Sequence, residues 1–141
     1  MSAASNYVED RTLDFWLKAN SQTTSAPATV YVALFTSDDS TGGTADNLEA
    51  GTLTNEVTTS GTAYARQAVT FGTISNGSVS NSGNLTYPTA TATYGTVTHV
   101  AVMDASTAGN VLYYGALTTA REILTDDTFQ ITTGNLTISL A

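Results

Sequence analysis

Apolar positions follow two rhythms along the chain. From Ser5 to Asn20, Tyr7, Val8, Leu13, Phe15, Trp16 and Leu17 are spaced as on a helix that is apolar around much of its circumference. Asn6, followed three residues later by Glu9, resembles a capping box, and Glu9 and Asp10 suit the positive end of the helix dipole. Such a helix has to bury against its own sheet or against another chain. The polar segment Ser21 to Pro27 reads as a linker, closed by a proline that stops any helix.

Beyond Pro27 the rhythm changes to alternation. Thr29 to Thr36 (TVYVALFT) alternates and carries β-branched and aromatic residues. Tyr64 to Ile74 reads as a strand, and Asn76-Gly77 as a hairpin turn behind it. Two more strands are expected, around Ser78 to Tyr87 and over Thr96 to Asp104, and another over Val111 to Leu117. Thr128 to Thr132 and Leu136 to Leu140 follow, separated by a Gly134-Asn135 turn. Short strands punctuated by turns predict an all-β fold, an antiparallel β-sandwich (jelly-roll or Ig-like) with one N-terminal α-helix. Residues 1–27 are expected to form the helix and linker, and residues 28–141 the sandwich. Taking one phase of alternation, its core should hold Val30, Val32, Leu34, Val69, Phe71, Val100, Val102, Leu112, Ile131 and Ile138.

Composition supports the β reading and narrows the function. The 141 residues suit one domain, and 28 of them are threonine, a β-branched residue. Charged residues make up 11%, against about 25% in an ordinary globular protein. Twelve acidic and four basic residues leave a net charge of −8, which speaks against a nucleic-acid groove or an anionic membrane as partner. No apolar run is long enough for a membrane span, and no basic-then-apolar N-terminus suggests a secretory signal. With no cysteine, disulfides, thiolate metal sites and cysteine nucleophiles are excluded.

Candidate chemistry is sparse. His99, the single histidine, lies in TVTHVAVMD and by alternation shares a core-facing side with Val97, Ala101 and Met103, so a structural role is expected. No G-x-S-x-G motif supports a nucleophilic serine, and no pair of carboxylates is positioned for glycoside cleavage. In the polar stretch from Ser37 to Gly61, Asp38, Asp39, Asp46 and Glu49 offer oxygen ligands for Ca²⁺, with Gly42-Gly43 allowing a tight turn. The spacing is not that of an EF-hand, and a solvated acidic loop is the favoured reading. Asp126-Asp127 reads as turn chemistry. Tyr113 and Tyr114 point to opposite faces of one strand. Tyr87 and Tyr94, among polar loops, are the candidates for stacking a glycan. No catalytic residue, metal site or cofactor is expected.

The strings VYVALFTSDD and SGTAYARQAVTFG, with YPTATATYGTVTHVAVMDASTAGNVLYYGALTT (Tyr87 to Thr119) and the terminal GNLTISLA, resemble small tailed-bacteriophage virion structural proteins, often labelled tail-fibre-like and including cyanophage members. The resemblance spans nearly the whole chain. It implies a non-enzymatic component of the virion, assembled in the host cytoplasm, whose partners are the major capsid protein or tail proteins. Length favours a capsid decoration (cement) protein, expected to be a homotrimer. The alternative is a tail-fibre or tail-tip module touching a host glycan. On either reading Tyr7, Val8, Phe15 and Trp16 are the expected interface, because a small sandwich can close its core without them.

Overall fold

The computed structural model describes residues 3–18, 26–38 and 47–140. The expected linker up to Ser25, and Asp39 and Asp46, lie outside the described residues. A two-residue strand β1 (Ala3–Ala4) precedes helix α1 (Asn6–Leu17). Eight strands follow: β2 (Val30–Phe35), β3 (Gln67–Val69), β4 (Ser78–Ser80), β5 (Leu85–Thr86), β6 (Gly95–Met103), β7 (Val111–Ile123), β8 (Gln130–Ile131) and β9 (Thr137–Ser139). The main sheet has the order β1-β7-β6-β2-β3, and every pairing in it is antiparallel. The second layer consists of two ribbons, β4-β9 and β5-β8. This is the all-β sandwich with an N-terminal helix that the alternating pattern predicts.

One face of the main sheet meets the ribbons. Val32, Leu34, Val69, Val97, Val100 and Ile123 pack there against Leu85, Tyr87, Tyr94, Ile131 and Leu136. The opposite face has a core of its own, in which Ala33, Phe35, Ala101, Met103 and Val111 lie under Leu48, with Leu53 beside them. All four residues from Val32 to Phe35 are therefore buried, although TVYVALFT reads as simple alternation. The same covering explains the continuous apolar run of VAVM in β6, since a strand buried on both sides needs no polar face.

Two irregularities shift the phase predicted for β6 and β7. The register slips between Val97 and His99, where Leu117–Ala120 of β7 stand opposite the single Thr98. Val97 thus joins the ribbon-side core, while Ala101 and Met103 belong to the other, and His99 is left half-buried instead of sharing one face with all three. A second slip pairs Val102 with Tyr113 and Met103 with Val111, leaving Leu112 unopposed. Leu112 is accordingly half-buried, and Val111 is the core residue. Of the other expected core positions, Val32, Leu34, Val69, Val100, Val102, Ile131 and Ile138 are buried, and Val30 and Phe71 pack at the edge.

The Asn76-Gly77 turn forms as the sequence predicts. Both residues have positive φ, 49° and 72°, and Ser75 and Ser78 exchange backbone hydrogen bonds of 2.9 Å across it. Tyr64 to Ile74 is less regular than expected, with strand pairing confined to Gln67–Val69 and a single bridge from Phe71 to Asn81.

Candidate functional site

Helix α1 is fixed at its start and open along its length. Ser5, rather than Asn6, is its N-cap, and the hydroxyl of Ser5 bonds the Val111 carbonyl instead of capping the helix. The Ser5 amide donates to Leu112 O at 3.0 Å, and the Asn6 amide to Glu49 O at 3.1 Å. Beside these, β1 pairs with Tyr113 and Tyr114 of β7. No residue of the helix itself is buried.

The four expected interface residues fall on the side of the helix that looks back toward the body. Tyr7 and Val8 are half-buried, whereas Phe15 is 60% and Trp16 75% exposed. With Arg11 and Thr12 they line one wall of an open groove of about 560 Å³, and Pro27, Asp104 and Leu112 line the other. The Phe15 and Trp16 rings meet edge to face at 5.1 Å, and the Arg11 guanidinium stands 4.4 Å from the Tyr7 ring centre. Past the helix end, Lys18 pairs with Asp14 at 2.8 Å, and that carboxylate raises the ammonium's pKa.

Tyr87 and Tyr94 are not surface residues. Both are buried in the ribbon-side core, where the Tyr87 hydroxyl donates to Val32 O at 2.9 Å and the Tyr94 hydroxyl to Pro88 O at 2.7 Å. Tyr64 stacks on Tyr87 and meets Tyr94 edge to face, so neither ring offers a face to a sugar. The polar loops around them suggested exposure, but the rings turn inward to close a core poor in large aliphatic residues. Tyr114 packs at the rim of the second core, opposite in direction to Tyr113.

Three of the described acidic residues serve as loop staples. Asp38 accepts the Leu48 amide at 2.8 Å, Asp104 holds the Asn110 amide at 2.7 Å, and Asp127 accepts the Leu124 amide at 2.9 Å. Among the described residues no three acidic or histidine side chains gather as a metal site would require. Glu56 reaches inward, where its two oxygens take Arg66 Nε and Nη2, each at 2.7 Å, and Oε1 also accepts the Tyr64 hydroxyl at 3.0 Å. His99 Nδ1 lies 2.9 Å from Thr98 Oγ1.

A second groove escaped the sequence reading. It has a volume of about 350 Å³ and is walled by Val30, Phe71, Val79, Leu112, Ile138 and Leu140, with Ile74 at its mouth. Its residues come from five separate stretches, so no local motif announces it. One signal was available, since Gln67 to Met103 holds no charged residue. Leu112 borders both grooves, which are therefore neighbours on one surface.

No curated protein matches the chain. Residues 3–139 match the family model described as podophage GP4 fiber I protein gp80. That match takes in the helix, both layers of the sandwich, the first groove and all of the second except Leu140. The chain belongs to this podophage fibre family, and it is a structural protein of the phage virion.

Proposed function

We propose that the chain is a subunit of the phage tail fibre, attached through the groove side of helix α1 and acting without catalysis. The carrying observation is an aromatic pair, Phe15 and Trp16, left exposed on a helix whose backbone hydrogen bonds to the rest of the fold, among the described residues, lie at its start, at Ser5 and Asn6. A contiguous exposed apolar patch, unlike a single exposed apolar side chain, marks a contact surface, in which aromatic anchors supply most of the binding energy. The fibre family supports a tail position over decoration of the capsid, for which length was the main argument. Self-association, with a trimer as the expected state, belongs to the same reading. A glycan contact has no support from Tyr87 and Tyr94, which are core residues.

Immunogold labelling of intact virions, together with copy-number measurement, tests the position. Labelling confined to the tail at low copy number is expected, and dense labelling over the head overturns the reading. The attachment surface is tested with Phe15→Ala/Trp16→Ala. This variant should keep its fold, because neither ring is buried, and should be lost from assembled particles. Full incorporation of the variant refutes the helix as the anchor.

A further inference from the structure

We propose that the groove between Ile74 and Leu140 receives the Phe15–Trp16 pair of a second copy of this chain, an inference that rests on the fibre reading and names the partner of the helix. The chain carries both halves of such a contact. One half is the aromatic pair, which edges its own chain's groove but leaves both rings mostly exposed, and the receiving half is an apolar hollow of about 350 Å³, large enough to admit an indole ring. Ile74 and Leu140 at its rim are 74% and 62% exposed. They stand as unburied as the rings that would cover them.

Charge distribution selects the occupant. A copy with a net charge of −8 is repelled by its twin wherever carboxylates face each other. No charged residue occurs from Gln67 to Met103, from Ala105 to Ala120 or from Thr128 to Ala141, and these stretches supply every wall of the groove except Val30. A basic partner would gain nothing from a neutral hollow and would be drawn to the acidic loops instead. The helix is also close to neutral. Arg11 and Lys18 are two of the chain's four basic residues, and they offset two of Glu9, Asp10 and Asp14. The nearly neutral helix of one copy therefore suits the hollow of another, which is walled by uncharged side chains.

Placement points to a closed assembly. Because Leu112 lines both grooves, projection and hollow lie side by side on one surface. A surface that is its own complement lets two copies satisfy each other reciprocally, or lets a small ring close.

The chain has no cysteine, so single thiols can be introduced without background. Full-length Trp16→Cys and Ile74→Cys proteins are mixed in equal amounts under mild oxidation. The expected product is a cross-linked species at twice the chain mass containing one of each, with far less from either variant alone. Sedimentation of Leu140→Lys, a change at an exposed position, should show at least tenfold weaker self-association with unchanged circular dichroism. Absence of the mixed cross-link, like-with-like cross-links only, or capture of a different virion protein by Trp16→Cys in particles overturns the proposal. Tail labelling without the mixed cross-link leaves the fibre reading standing and removes only this contact. The mixed cross-link with labelling over the head does the reverse.

Discussion

Arg66 is held from three directions. Glu56 takes two of its nitrogens, and Nη1 donates to Ala105 O at 2.9 Å and Ala108 O at 2.7 Å. One side chain thus ties the loop before β3 to the turn between β6 and β7, while Glu56 passes the connection on to Tyr64. Removing one partner strands a buried charge, so Arg66→Ala should cost about 3–5 kcal/mol in urea unfolding. Arg66→Lys should recover only part, because an ammonium cannot span the carboxylate and both carbonyls. Burial first, and then the Glu56 carboxylate, pushes the Tyr64 hydroxyl far above its ordinary pKa of 10.0, and burial does the same to Tyr87. The unfolded chain releases these protons near the ordinary value while the folded chain keeps them. Stability should therefore be insensitive to these groups below that pH and fall as pH rises above it. Melting temperature followed across the alkaline range checks the sign, and Tyr64→Phe should flatten the decline. A melting temperature that holds or rises there refutes it.

At the scale of elements, the stretch after β2 is more than a solvated loop. Leu48 is fully buried over Phe35 and Met103, and it is positioned by the hydrogen bond its backbone N–H donates to the Asp38 carboxylate. Leu48→Ala should cost about 2–5 kcal/mol in chemical denaturation. A change below about 0.5 kcal/mol would mean that the loop does not seal the second face. The sequence could not reveal this seal, since a lone leucine among polar residues carries no periodicity. Strands β2 and β6 and the Asn76-Gly77 turn were legible because β-branched runs and paired positive-φ residues are local signals. The phase of β6 and β7 was not, because the bulges at Thr98 and Leu112 are fixed by pairing between strands. The helix was legible together with its exposed aromatics. Its true cap was hidden, because Ser5 spends its hydroxyl on a carbonyl 106 residues away. Tyr87 and Tyr94 were misread for a related reason, since loop composition does not say which way a ring turns.

For the whole molecule the decisive pattern is the separation of charge from the ribbon layer. Self-association through a neutral apolar surface between acidic bodies should tighten as sodium chloride is raised, because screening shortens from about 30 Å at 0.01 M to about 3 Å at 1 M. Sedimentation across that range checks it, and weakening with salt would show that charge pairing holds the copies together. The way the helix joins the sheet also sets how the protein bears force. On its N-terminal side it continues from β1, an edge strand of two residues that can be peeled away one pair at a time. On its C-terminal side the chain leads to β2, which is flanked by β3 on one side and β6 on the other. Tension arriving by that route has to shear two ladders at once. With the helix as the proposed attachment point, a subunit under drag would part from the two pairs of β1 long before it surrendered its core.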